Sequence, residues 1–177
     1  MRIAAMNKIL DEAQIARRLD ELAAELDELY RGRPLVVICV LKGGIMFFAD
    51  LVRRLNCQPE LDFVRLSSYG DGTSPQAKIV LTKDVELSLR GKHVLVVEDI
   101  MDTGHSMEFL LRHLASKGAE SIRLAVLVDK QERREVAVRP DIVGFSVPSG
   151  FLIGYGLDYA EQYRELPAVY ELIPTEE

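Results

Sequence analysis

The sequence predicts an α/β protein with a mostly parallel, twisted sheet flanked by helices. Three observations carry that expectation. Leu35–Leu41, Val94–Val97 and Ile122–Val128 are continuous apolar runs rich in β-branched residues, the pattern of strands buried on both faces. Strands alternate with helical periods as far as residue 128, which indicates helices packed on both faces of a parallel sheet. Polar and glycine residues gather where these runs end, and open parallel sheets bind ligands at the carboxyl ends of their strands.

Taken in order, residues 8–30 read as an amphipathic helix. Ile9, Ala13, Ala16, Leu19, Leu22, Ala23, Leu26 and Leu29 keep a helical period, and Gly32 and Pro34 mark its end. The strand Leu35–Leu41 runs into Lys42-Gly43-Gly44, and Ile45, Phe47, Phe48, Leu51, Val52 and Leu55 carry a helix on to Asn56. That turn is either an ordinary strand-to-helix connection or a cradle whose N–H groups approach an oxyanion. Leu61–Leu66 alternates as a strand with one polar face. Residues 67–76, small and polar apart from Tyr69, read as a long loop. Ile79–Leu81 and Val85–Leu87 read as a hairpin or short paired strands around Lys83-Asp84. A helix over 106–117 stops at Gly118. Arg133, Arg134 and Glu135 read as a charged loop. Further strands are expected at Ile142–Val147 and Val169–Ile173, with turns at Pro148-Ser149-Gly150 and around Glu161–Arg164. The last forty residues read as a small appendage beside the sheet.

Composition bounds the function. At 177 residues a single domain with a sizeable core is expected. The net charge of −6 disfavours a polyanion such as a nucleic acid as partner, though local donors can still bind a small phosphorylated ligand. Cys39 and Cys57 form no CxxC pair and read as buried thiols. No run of about 18 apolar residues suggests a membrane span, and Lys8, Asp11 and Glu12 interrupt any signal-like stretch. A cytoplasmic enzyme or binding protein is expected.

The chemistry concentrates in residues 94–107. The apolar run Val94–Val97 ends in Glu98 and Asp99. A third carboxylate, Asp102, precedes Thr103, Gly104 and Ser106. Met107, Leu110, Leu111 and Leu114 then keep a helical period. A helix N-terminus approached through small residues is an anion site, and carboxylates beside it suit a hard divalent ion shared with substrate oxygens. By itself this stretch supports a phosphate-bearing, metal-bridged ligand. Lys130 ends the next strand, so Lys42, the acidic cluster and Lys130 should share one sheet edge.

Val96-Val97-Glu98-Asp99-Ile100-Met101-Asp102-Thr103-Gly104 resembles the phosphoribosyl diphosphate motif of type I phosphoribosyltransferases. The resemblance narrows to the hypoxanthine (hypoxanthine-guanine) phosphoribosyltransferases. Leu41-Lys42-Gly43-Gly44, Ser68-Tyr69, Val128-Asp129-Lys130, Val143-Gly144-Phe145 with Pro148, and Gly154–Tyr159 followed by Arg164–Pro167 keep that family's order and spacing over residues 35–173. It implies exchange of the diphosphate of 5-phosphoribosyl 1-diphosphate for a 6-oxopurine, with Mg2+ as cofactor.

The same resemblance implies roles. Asp102, Thr103, Gly104, His105 and Ser106 would hold the 5-phosphate, and Glu98 and Asp99 the ribose hydroxyls, directly or through magnesium. Asp102 would be the catalytic acid or base at purine N7. Lys130 would bond the 6-oxo group, Phe151 would stack on the base, and Leu152 would read its edge through the backbone. Asp158, beside the purine, would hold a second magnesium. Leu41, Lys42, Gly43 and Arg164 would bind diphosphate, with Ser68 and Tyr69 closing as a lid. Family members commonly have Lys, Asn or another polar residue where this chain has His105. The resemblance further implies one domain over 1–177, with a small hood from the N-terminal segment and about 146–177, and a homodimer or homotetramer. No membrane partner is expected. A regulatory protein of the same fold that senses phosphoribosyl diphosphate is the alternative. A pyrimidine or xanthine enzyme is limited by Lys130 and Phe151-Leu152.

Overall fold

The computed structural model describes residues 3–69 and 78–174. Its elements are β1 (Ile3–Leu10), α1 (Glu12–Leu29), β2 (Leu35–Leu41), α2 (Ile45–Val52), β3 (Glu60–Tyr69) and β4 (Lys78–Lys83). They continue as β5 (His93–Met101), α3 (His105–Ala115), β6 (Ser121–Asp129), β7 (Ile142–Ser146), β8 (Phe151–Ile153) and β9 (Val169–Pro174). The main sheet has the order β4-β3-β2-β5-β6-β7. All its pairings are parallel except β3 with β4. A second, antiparallel sheet has the order β1-β9-β8.

The continuous apolar runs are explained by the layers around the main sheet. Val37, Cys39, Leu95, Val97, Ala125 and Leu127 point into one core with Ile15, Leu19, Leu22 and Leu26 of α1 and Phe47, Phe48 and Leu51 of α2. Val36, Ile38, Val40, Val94, Val96, Leu124 and Val126 point into the other, with Met107, Leu110 and Leu114 of α3. Successive side chains on a strand face opposite ways, so a strand covered on both sides needs no polar position.

Three local expectations are corrected. Lys8–Leu10 belongs to β1, not to the first helix. These residues pair with Val169 and Tyr170 of β9, and the helix begins after Asp11, whose carboxylate accepts from Gln14 N (2.7 Å) while the Gln14 side chain accepts from Asp11 N (2.8 Å). That capping box stops the helical period from extending back through Ile9. Ser67–Tyr69 belongs to β3, where pairing with Lys78–Val80 carries the strand past its apolar part. The remainder of the expected loop, residues 70–76, lies outside the described residues, as does the Tyr69 side chain. Val85–Leu87 is not a strand. The buried Asp62 carboxylate accepts from Glu86 N and Leu87 N, both at 2.8 Å, and so takes two of the donors a ladder would use.

Candidate active site

Parallel pairing brings the ends of β2, β5 and β6 to one sheet edge. From β2, the chain passes through a cis Leu41–Lys42 peptide into the turn Lys42-Gly43-Gly44. From β5, it passes through Asp102 and Thr103 to Gly104, which caps α3. Gly104 has φ +90, and a Cβ there would lie 2.5 Å from Val136 Cγ2. No side chain caps this helix, so its first N–H groups are available to a ligand. Glu98–Gly104, Ser106 and Met107 line a cavity of about 280 Å³.

Glu98 and Asp99 are adjacent, and Asp99 is buried. Asp99 Oδ1 accepts from Ile100 N at 2.8 Å, and Glu98 Oε1 accepts from Asp99 N at 3.0 Å. Among the described residues neither carboxylate has a Lys, Arg or His nitrogen within ion-pair distance. Burial first, and then the charge of Asp99, push the Glu98 carboxyl well above the usual range; burial raises Asp99 as well. A buried and a half-buried carboxylate with no cation at ion-pair distance are a donor set that fits a hard divalent ion. Asp158 sits apart, its Oδ1 2.8 Å from Arg164 Nη2 and its Oδ2 accepting from Glu161 N at 2.9 Å. Among the described residues no three His, Cys, Asp or Glu side chains converge as one metal cluster.

Asp102 is the junction of the site. Its Oδ2 lies 3.2 Å from Arg133 Nη1 and 3.7 Å from Lys130 Nζ, while Oδ1 is buried and without a partner. A buried acceptor left open is costly unless something fills it. Lys130 is itself 9% exposed, and its N–H donates to Met101 O at 3.0 Å, which ties the β6 end to the β5 end. Phe151 is 45% exposed and meets Tyr159 edge to face at 5.6 Å between centroids, so a ring face is free for stacking. Leu152 lies in β8, the last strand of the second sheet. Lys42 Nζ donates to Glu161 Oε2 at 2.6 Å, and Arg164 Nη1 donates to Gly156 O at 2.7 Å. His105 Nε2 pairs with Glu135 Oε2 at 2.7 Å. Ser68 is exposed in β3, opposite Ile79.

Sequence reasoning missed Arg134, which it placed in a charged loop. Arg134 forms a buried ion pair with Asp129 at 2.5 Å and donates to Asp102 O (2.9 Å) and Met101 O (3.2 Å). It holds the backbone that carries Asp102. No periodicity marks it; only its nearness to Asp129-Lys130 hints at a role. Arg134→Met leaves the buried Asp129 carboxylate without a cation, with the Gln131 amide still donating to its Oδ2 at 2.9 Å, and the expected loss of stability is about 3 kcal/mol. Urea unfolding of the variant beside wild type measures it, and a change below about 1 kcal/mol would show that the Gln131 amide is enough to hold the Asp129 charge.

The family model described as phosphoribosyl transferase domain matches residues 5–160. The chain is 41% identical over 166 residues to the bifunctional protein TilS/HprT of Listeria innocua, covering 94% of this chain and 26% of that protein. It therefore spans about a quarter of the length of that relative. It is 39% identical over 167 residues to the hypoxanthine-guanine phosphoribosyltransferase of Bacillus subtilis, covering 94% of this chain and 93% of that one. The fold is similar to the crystal structure of a hypoxanthine phosphoribosyltransferase from Staphylococcus aureus, with a TM-score of 0.91, 37% identity, and coverage of 97% and 92% of the two chains.

Proposed function

Because this chain belongs to the hypoxanthine-guanine phosphoribosyltransferase family, we propose that it moves phosphoribosyl from 5-phosphoribosyl 1-diphosphate to hypoxanthine or guanine. The products are the nucleoside monophosphate and diphosphate. One observation carries this reading: Asp102 lines the cavity at the start of α3, its Oδ2 lies 3.7 Å from the Lys130 ammonium, and its buried Oδ1 has no partner.

In the reaction the bond from ribose C1 to diphosphate breaks and a bond to purine N9 forms. The purine N7 proton passes to Asp102. The ribosyl centre becomes cationic as diphosphate leaves, so the site must stabilise charge and exclude water. The N–H groups of α3 and the hydroxyls of Thr103 and Ser106 hold the 5-phosphate, with His105 at the rim. Glu98 and Asp99 face the ribose hydroxyls, and Lys42, Gly43 and Arg164 face diphosphate, beside Leu41. Lys130 donates to the 6-oxo group. An ammonium has no acceptor, so a 6-amino purine meets a donor with a donor. Phe151 stacks on the base, and the free edge of β8 at Leu152 offers backbone groups to its rim. Ser68 and Tyr69 close over the leaving group.

Glu98 and Asp99 would hold one Mg2+ and Asp158 a second. The ion supplies charge neutralisation for diphosphate and its departure. The soluble compartment is proposed to be the cytoplasm; no helix among the described residues is long and apolar enough to cross a membrane. A homodimer or homotetramer is proposed on the family's habit, and sedimentation equilibrium checks it.

The deciding experiment incubates the protein with Mg2+, phosphoribosyl diphosphate and each of hypoxanthine, guanine, xanthine, adenine and uracil. Nucleotide is expected from the first two and not from adenine or uracil. Phosphoribosyl diphosphate binding with no nucleotide from hypoxanthine or guanine would return the regulatory reading.

The carboxylate pair adds a pH test. Between the unfolded-chain value, about 4.3 for a glutamate, and its raised folded value, Glu98 keeps a proton in the native state that the unfolded chain has released. Stability from this group is therefore fully present below the unfolded value and lost as pH rises through the folded one. Metal-free wild type should lose more stability than Glu98→Gln between about pH 5 and pH 8. Mg2+ needs the ionised carboxylates, so it should raise the melting temperature more at the upper pH. Identical profiles for the two proteins would refute the assignment.

A further inference from the structure

The turn from Asp158 to Arg164 places a carboxylate that no role above uses on two cations that the proposed function gives to diphosphate. Lys42 Nζ lies 2.6 Å from Glu161 Oε2, and Arg164 Nη2 lies 3.7 Å from Glu161 Oε1. Lys42 and Glu161 are both exposed, so solvent or a ligand can reach the pair. Hydrogen bonding to Lys42, and then the charge of Lys42, hold the Glu161 carboxyl below the usual range, with Arg164 and Arg65 adding to the effect. The carboxylate thus sees three cations where an anion belongs.

The backbone around it is held by contacts. Ala160, Glu161 and Tyr163 have φ of +51, +65 and +76, a region that costs energy for residues with a side chain. Glu161 N donates to Asp158 Oδ2, and Tyr159 and Gln162 exchange backbone hydrogen bonds at 3.1 Å each. The segment before the turn abuts the Lys42-Gly43 loop directly, since a Cβ on Gly156 would lie 2.1 Å from Gly43 O. Lys42 and Glu161 therefore face each other across two backbones in close packing.

We infer that Glu161 is a positioning residue for the leaving group, an anion of the chain's own that occupies Lys42 and Arg164 until diphosphate takes its place, and that returns to them as diphosphate departs. The inference rests on the reading of Lys42 and Arg164 as diphosphate contacts. It predicts that Glu161 weakens diphosphate binding and speeds release. An unoccupied ammonium and guanidinium would bind the product more tightly, and product release limits turnover in many enzymes.

The test uses Glu161→Gln, which keeps length and removes charge at an exposed position. Calorimetric titration with inorganic diphosphate in the presence of Mg2+ should show binding about two- to fivefold tighter than wild type, the scale of one exposed ion pair. The gap should close at high ionic strength. KM for phosphoribosyl diphosphate should fall, KM for the purine should stay, and kcat should fall where release limits it. Glu161→Asp keeps the charge and should restore wild-type diphosphate affinity in large part. Unchanged or weaker diphosphate binding in Glu161→Gln overturns the inference, weaker binding meaning that the carboxylate assists the ligand. A wild type that forms nucleotide and binds diphosphate, with a variant that does not tighten, defeats this inference alone. A wild type that does neither defeats the proposed function, and this inference with it.

Discussion

Asp102→Asn is expected to lower kcat by about 10²- to 10⁴-fold, the usual contribution of a positioned acid or base. Phosphoribosyl diphosphate binding should change far less. The substitution keeps the shape of the side chain and leaves the backbone ties intact, because Arg134 holds the carbonyl of Asp102 and not its carboxylate. What changes is the ability to take a proton. An amide cannot accept one, although its carbonyl oxygen can still accept from Arg133 where Oδ2 now does. Single-turnover rates beside equilibrium binding of phosphoribosyl diphosphate separate the two effects. Equal losses in rate and binding would assign Asp102 to binding and argue against its acid–base role.

Gly43→Ala is expected to cost at least about 10²-fold in kcat/KM, on the scale of a displacement of one ångström in a reacting geometry. A Cβ at this position would lie 1.8 Å from Asp99 Oδ2 and 2.4 Å from its Cγ. Either the carboxylate swings away or the Lys42-Gly43 turn moves. Asp99 is buried with Oδ1 bonded to Ile100 N, so it has little room to give. Movement of the turn would displace Lys42 instead. Both outcomes damage the site, one at the proposed ribose and metal contacts and the other at the proposed leaving-group contacts. Overpacking should also lower stability by about 1–3 kcal/mol. Steady-state kinetics and the Mg2+-induced rise in melting temperature report the two consequences separately. Wild-type kcat/KM in the variant would mean that Asp99 is free to move without loss.

These two residues differ in how they could be found. Asp102 was identifiable from its neighbours, since Glu98-Asp99-Ile100-Met101-Asp102-Thr103-Gly104 carries acid, small residues and a helix start within a few positions. Gly43 was identifiable only as a glycine in a strand-to-helix turn. That it makes room for a carboxylate of the neighbouring strand became visible once β2 and β5 were paired.

The same division holds through the chain. The sequence by itself determined the buried strands, the helices that follow β2 and β5, and the polar groups at the strand ends, because each is written in a short window: apolar continuity, a 3.6-residue period, small residues at a turn. It also carried enough motif in order for candidate site residues to be named. The tertiary structure decided which strands pair and what neutralises each charge. β1 became a strand because β9 comes from the far end of the chain to meet it. Val85–Leu87 failed to become one because Asp62, in β3, takes its donors. Arg134 found Asp129, and Glu161 found Lys42, across intervals that no local pattern spans. Periodicity is a property of neighbours in sequence, whereas hydrogen-bond and ion-pair partners are neighbours in space, and only folding makes the second kind.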